Sequence, residues 1–246
     1  MAQWLDTALH GFDYAILAAI HDFAIATGGF FDWFMLAITS LANDGLGMIA
    51  LGLVLFCFKR TRKTGMAVLF AIAVGALITN VTLKPLVYRA RPYTHEEFRA
   101  WWEAMGAHLE SERSFPSGHT TSAMAAMMGI FLTTNKKYSW TALLFAVLMG
   151  ITRMYIVVHY PTDIIGGLIA GALGGLGGFV IAVLIWRFLH AHKENKLFGF
   201  VLQADPIPAC VRYVTRKGAR EEAAEKQLDA AEQTDTEQTD AQNGAE

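Results

Sequence analysis

The chain has 246 residues, 54% of them hydrophobic and 17% charged, with a formal net charge of −2. The charged share falls below the roughly 25% of an average soluble domain, and the mean hydropathy is positive. This balance argues for an integral membrane domain with a polar tail and against a nucleic-acid partner. Cys57 and Cys210 show no zinc-ligand spacing and are not expected to pair with each other.

Residues from about Leu5 to Ala26 are amphipathic and carry His10, Asp13, His21 and Asp22. A charge at the bilayer centre costs about 2.5–3.5 kcal/mol on insertion scales, so this stretch is expected to lie in the interface. No basic region precedes an apolar run here, so a cleaved signal peptide is not expected. Gly28-Gly29 ends the stretch. The apolar run Phe30–Phe58, interrupted by Asn43-Asp44-Gly45, reads as one long tilted helix or a kinked one. Further spans follow at about Gly65–Leu83, His119–Thr134, Ser139–Val158 and Ile164–Leu189, each near the roughly 20 residues that cross a bilayer. Between Arg91 and Ser114 lies a polar segment with Glu96, Glu97, Glu103 and Glu110, too long for a simple turn. Its Trp101-Trp102 pair fits an interface anchor.

Gly167, Gly171 and Gly175 recur every four residues, a spacing that lets helices approach closely in lipid. From Gly218 to Glu246, nine acidic residues face only Arg220 and Lys226. Such a tail cannot bury a core and is expected to be disordered. The fold class predicted is all-α: a polytopic membrane helical bundle of about five to six spans with an N-terminal interfacial helix. Four parts are expected: 1–29 interfacial, 30–190 the membrane domain, 191–217 juxtamembrane and 218–246 the acidic tail.

Basic residues set the expected orientation. Lys59, Arg60, Arg62 and Lys63 fill one short loop, Lys136 and Lys137 another, and Arg187, His190, His192 and Lys193 follow the last span. Counting spans puts all three clusters on one side, read as cytoplasmic. The segments carrying Lys84, Arg91, Ser117, His159 and Asp163 then fall together on the opposite, extracytoplasmic face. Lys84 and Arg91 run against the positive-inside bias, so they call for an anionic partner.

Those segments are Lys84-x6-Arg91-Pro92, Pro116-Ser117-Gly118-His119 and Thr152-Arg153-x5-His159-x3-Asp163. Arginine matches phosphate oxygens with a planar fork of donors, and lysine does so as a point charge. Lys84, Arg91 and Arg153 suit the non-bridging oxygens of a phosphate. Ser117 and Gly118 precede a helix whose free N–H groups and positive dipole end suit an anion. If Pro161 opens the last span at its first position, Asp163 lies in the first turn. It can then hold one ring nitrogen of His159 and leave the other lone pair aimed outward, the base-and-orienter logic of a triad with histidine as nucleophile. His119 is the candidate proton donor. The remaining histidines have no such neighbours, and no cluster has metal-ligand spacing, so neither metal nor cofactor is expected.

With these residues in place, the chain resembles the type 2 phosphatidic acid phosphatase superfamily, which also includes vanadium haloperoxidases. The family pattern is Lys-x6-Arg-Pro, Pro-Ser-Gly-His and Ser-Arg-x5-His-x3-Asp. The sequence matches every position except that Thr152 stands where serine is usual, and the resemblance covers roughly Gly65 to Leu189. It implies a helical membrane fold and a covalent phosphohistidine at His159. It further implies His119 as general acid, Asp163 as the partner of His159, and Lys84, Arg91, Ser117, Gly118 and Arg153 as phosphate ligands. The function so implied is a lipid phosphatase acting on a substrate in the bilayer. Undecaprenyl diphosphate is the first choice of substrate, with phosphatidylglycerol phosphate or phosphatidate as the alternative. A vanadate-dependent haloperoxidase and a non-enzymatic anion-binding or transport protein are the other readings. The chain is built for lipid, unlike the soluble haloperoxidases, and mere anion binding does not need His119, His159 and Asp163 together.

Overall fold

The computed structural model describes residues 1–106, 108–110 and 113–205. Among these residues every regular element is helical. The expectations for Cys210 and for the acidic stretch 218–246 fall outside them.

Five helices build the bundle: α4 (Leu46–Cys57), α5 (Arg62–Ala76), α8 (Gly118–Thr133), α9 (Lys136–Tyr155) and α10 (Pro161–Ala191). Helix α10 packs against α5 and α8, α8 against α9, and α4 against α5. The glycines of α10 make this closeness possible. A methyl on Gly171 would fall 2.6 Å from the Thr121 carbonyl oxygen of α8, and one on Gly174 would fall 2.8 Å from the Gly75 Cα of α5. The four-residue series Gly167, Gly171 and Gly175 therefore serves packing on α8, while Gly174 and Gly178 serve it on α5. Two helical stretches, Arg62–Thr94 and Pro161–Ala191, are long and apolar enough to cross a membrane.

Because these helices alternate in direction, the loops sort to two ends. The segments around residues 84–91, 114–119 and 153–163 meet at one end, and Arg62 and Val201 meet where α5 begins. There Arg62 is buried rather than solvated. Its Nε donates to the Phe56 carbonyl at 3.1 Å and its Nη1 to the Val201 carbonyl at 2.6 Å, which ties down α11 (Lys196–Gln203).

Helix α5 does not end cleanly. It passes through a π-helical turn, Leu77–Leu83, into the short α6 (Lys84–Val87). The wider turn rotates the residues after it, a feature often found at functional sites, and here it delivers Lys84. Tyr88 then stops the helix in the left-handed region, with φ +53°.

The Phe30–Phe58 stretch is broken rather than continuous. Helix α3 (Asp32–Ser40) ends early, a 3-10 turn spans Asn43–Gly45, and α4 begins at Leu46. Gly45 supplies the φ of +75° that this break requires. The Leu5–Ala26 stretch likewise divides into α1 (Ala2–Ala8) and α2 (His10–Ala26). Helices α2, α3 and α7 (Glu96–Ala104) pack around the chain that links α9 to α10. Leu17, Phe98, Met154, Val157, Tyr160 and Ile164 form one cluster there, and Ala24, Met35, Tyr155, Ile156 and Val158 another. Trp101 stacks on His21 at 4.5 Å and Trp102 on Tyr93 at 4.6 Å, so both tryptophans find aromatic partners within the protein.

Candidate functional site

The α9–α10 link carries the centre of the site. Pro161 opens α10 at its first position and Asp163 is its third residue. The Asp163 carboxylate accepts from the Tyr160 backbone N–H at 2.9 Å, completing a capping box that fixes the side chain beside His159. Asp163 is fully buried. Its Oδ2 accepts from the Ser114 hydroxyl at 2.5 Å and lies 3.4 Å from His159 Nδ1. Ser114 Oγ is itself 3.3 Å from Nδ1. On the other side of the ring, Arg91 Nη1 lies 3.2 Å from His159 Nε2 while also donating to the Val158 carbonyl at 2.8 Å.

This pattern selects one tautomer. Nδ1 carries the proton, facing Asp163 and Ser114, and Nε2 presents its lone pair to the arginine side. Burial, then the Arg91 and Arg153 guanidiniums, holds the His159 pKa well below the ordinary histidine value. Its position also costs backbone strain. Val157 sits at φ +57°, a conformation rare for a β-branched residue and worth about 1–3 kcal/mol. The packing of Val157 and the bond from the Val158 N–H to the Arg153 carbonyl, 3.2 Å long, hold it there.

Helix α8 starts at Gly118, with Ser117 as its N-cap. Ser117 Oγ accepts from the Thr120 N–H at 3.4 Å and from the Thr120 hydroxyl at 3.0 Å, and the Ser117 N–H donates to the Asp163 carbonyl at 3.1 Å. The cap thereby locks the starts of α8 and α10 together. His119, one residue into the helix, has Nε2 3.3 Å from Asn43 Oδ1.

Three cations complete the arrangement. The Lys84 ammonium makes no hydrogen bond or ion pair among the described residues, and it lies 3.7 Å from where a Gly118 side chain would begin. Arg153 is buried. Its Nη1 donates to the Thr39 hydroxyl at 2.8 Å, its Nη2 pairs with Glu110, and its Nε has no partner among the described residues. Arg91 Nη2 lies 3.7 Å from the second Glu110 oxygen. Burial alone would raise the Glu110 carboxyl, but Arg153 and then Arg91 outweigh it and hold the group below the usual carboxylate range.

Lys84, Arg91, Glu110, Gly118, His119 and His159 line one cavity of about 410 Å³, which continues between Ala42, Ile72 and Ala76 as an apolar wall. Of the residues expected from sequence, five therefore line the cavity. Asp163 stands behind His159, Arg153 behind Glu110, and Ser117 is buried under its cap with its hydroxyl turned to Thr120. The hydroxyl of Thr152 donates to the Met149 carbonyl at 2.7 Å, within its own helix. Sequence reasoning missed Arg89, Ser114, Asn43 and the role of Glu110. Cationic donors and an imidazole that converge on one cavity are suited to bind an oxyanion and attack it.

The sequence pattern of the PAP2 superfamily matches residues 64–195. The chain is 28% identical over 179 residues to undecaprenyl-diphosphatase BcrC of Bacillus subtilis (strain 168), covering 72% of this chain and 88% of that protein. It is 31% identical over 156 residues to phosphatidylglycerophosphatase B of the same organism, covering 57% of this chain and 71% of that one. The crystal structure of Aquifex aeolicus LpxE superposes with a TM-score of 0.53 at 22% identity, over 68% of this chain and 94% of that one. At that identity the likeness is one of fold.

Proposed function

The chain belongs to the PAP2 superfamily, and on that premise we propose that it is a membrane lipid phosphatase that hydrolyses undecaprenyl diphosphate through a phosphohistidine. The observation that carries this reading is His159 itself. One ring nitrogen faces Asp163, the other faces Arg91 and the cavity, and the ring is held neutral.

In this mechanism the terminal phosphate of the substrate enters among Lys84, Arg91 and Arg153 and displaces the Glu110 carboxylate. Arg153 Nε, which has no partner among the described residues, and the Lys84 ammonium are then in reach of the phosphate oxygens. Gly118 leaves the start of α8 open to the oxygens, and Ser117 fixes that start. The lone pair of His159 Nε2 forms a bond to phosphorus as the phosphorus–oxygen bond to the leaving group breaks. Asp163 stabilises the positive charge growing on the ring. His119, protonated once the bound phosphate offsets the cations around it, gives its proton to the leaving oxygen. A water then attacks the phosphohistidine, His119 takes that water's proton, and phosphate departs. The fixed guanidiniums and ammonium offset the phosphate charge throughout, so the reaction proceeds without a metal.

The choice of lipid is supported by the likeness to the undecaprenyl-diphosphatase over most of that protein's length. The likeness to phosphatidylglycerophosphatase B favours a glycerolipid monophosphate as the second reading. The bundle crosses the membrane with α5 (and its continuation), α8, α9 and α10, the shorter α4 packs beside α5 within it, and α1 to α3 and α7 cover the extracytoplasmic end. Phosphate release by the purified protein in detergent with chelator, from a matched panel of lipid phosphates, tests the chemistry and the substrate together. Undecaprenyl diphosphate is expected to give the highest kcat/KM, with activity retained in EDTA. Loss of turnover in EDTA with recovery in magnesium defeats the metal-free reading. Cysteines introduced at positions 100 and 108 are expected to react with an impermeant reagent in intact cells, and one at position 136 is not. The reverse pattern inverts the topology.

A further inference from the structure

Arg89 lies inside the first motif, between Lys84 and Arg91, yet it faces away from the cavity and is 1% exposed. Its Nε donates to Asp6 Oδ1 at 2.7 Å and its Nη2 to Asp13 Oδ2 at 2.7 Å. Its Nη1 donates to the Thr162 hydroxyl at 2.7 Å and to Asp163 Oδ1 at 2.8 Å. The face of the Tyr160 ring lies 3.9 Å away. Asp13, also buried, accepts in addition from the Thr162 N–H at 2.9 Å and the Thr162 hydroxyl at 2.7 Å.

Arg89 reaches Asp163 by a second route. Its carbonyl accepts from the Ser114 N–H at 2.7 Å, and the Ser114 hydroxyl donates to Asp163 Oδ2. Both oxygens of the carboxylate are therefore fixed by one residue, Oδ1 through the guanidinium and Oδ2 through Ser114. A cation this close would by itself neutralise the carboxylate that His159 needs as its ring gains charge. Asp6 and Asp13 offset it. The guanidinium can then hold Asp163 in place without withdrawing its charge from the ring.

We infer that Arg89, clamped by Asp13 and Asp6 of the N-terminal helices, is a positioning residue for the Asp163–His159 pair, so that α1 and α2 complete the active site. The inference rests on His159 being the nucleophile. Lysine cannot replace Arg89, because a single ammonium cannot fork across acceptors from two N-terminal helices and the start of α10.

The test uses the full chain in detergent, with Arg89→Lys, Arg89→Ala and Asp13→Asn as variants. Asp22→Asn makes the same charge change at an exposed position of the same helix and serves as the control. Rapid quench measures phosphoenzyme formation, steady-state kinetics separates kcat from KM, and thermal melting reports folding. A misplacement of about 1 Å costs about 10²-fold in rate, and the Arg89→Lys and Asp13→Asn variants are expected to slow phosphoenzyme formation by that order with KM unchanged. Added guanidinium ion is expected to restore part of the rate in Arg89→Ala and none in Asp13→Asn. The control is expected to match the native protein.

Three results overturn the inference: native phosphoenzyme formation in folded Asp13→Asn, a change in KM alone, or a loss that merely tracks the unfolded fraction. A native enzyme that forms no phosphoenzyme at all defeats the underlying nucleophile assignment instead, and the role of Arg89 with it. The two failures are told apart by the native protein alone.

Discussion

Among the described residues, one guanidinium behind His159 pairs with three carboxylates, while in front of it Glu110 pairs with two guanidiniums and Lys84 stands nearby. The rear cluster, Arg89 with Asp6, Asp13 and Asp163, is closed, its carboxylates bound to neighbours at short distances. The front cluster, Lys84, Arg91 and Arg153 with Glu110, is open: Arg153 Nε is buried without a partner among the described residues. Buried polar groups are almost always satisfied, so the excess of donors in front suits an incoming anion and the balance behind suits a fixed geometry. The imidazole stands between the two, with one nitrogen turned to each.

The comparison breaks most completely at His159. His159→Ala is expected to form no phosphoenzyme with any substrate, by rapid quench with labelled lipid phosphate. Asp163→Asn keeps the shape of the rear cluster but spoils the tautomer, with a loss of about 10⁴-fold as in triads. An acid-labile adduct persisting in His159→Ala places the nucleophile elsewhere.

His119 sharpens the front side. General acid catalysis is worth about 10²–10⁴-fold, so His119→Ala is expected to lose that much on an alkyl phosphate. The loss is expected to be far smaller on an activated aryl phosphate, whose leaving oxygen scarcely needs a proton. Equal losses on both substrates refute the role. Removing one preorganised donor to a developing oxyanion costs about 10²–10³-fold, and Arg153→Ala is expected to fall in that range in kcat/KM. Glu110 gives the smallest effect. Its partly exposed pairing is worth about 1 kcal/mol, so Glu110→Gln is expected to lower the inhibition constant of inorganic phosphate about fivefold. A weaker inhibition would show that Glu110 does not compete for the site.

The motif residues around His159 were legible in the sequence because several of them sit at fixed offsets from structure-breaking residues, whereas the pairing of Glu110 with Arg153 was not. Pro92 follows Arg91, Pro116-Ser117-Gly118 opens α8, and Pro161 opens α10 with Asp163 two residues later. Local backbone chemistry sets these positions, so spacing alone exposes them. The pairing of Arg89 with Asp6, Asp13 and Asp163 was not legible, because Asp13 reaches Arg89 and Thr162 only when α2 packs beside the start of α10. Periodicity carries no record of such a contact. Asp13 counted against burial in the sequence, since an unpaired charge in lipid is costly, whereas Arg89 removes that cost by pairing with it. The usable signal was the charge itself: an ionisable residue within an apolar stretch points by default to a partner and a function. The break at Asn43–Gly45 was visible in its residue types, but that Asn43 would meet His119 was not.

The carboxylate seated between Arg91 and Arg153 also sets how the site chooses among anions. On the proposed reading an arriving ion is expected to exchange with Glu110 rather than fill an empty positive well, so the site gains only the charge by which the ion exceeds the carboxylate. A monovalent anion such as chloride brings no more charge than the group it displaces and gains almost nothing. A terminal phosphate at neutral pH carries up to two charges and three acceptor oxygens, and it gains on both counts. The resident carboxylate is thus expected to make the pocket less responsive to monovalent salt than to phosphate, with binding weakening only modestly as ionic strength rises.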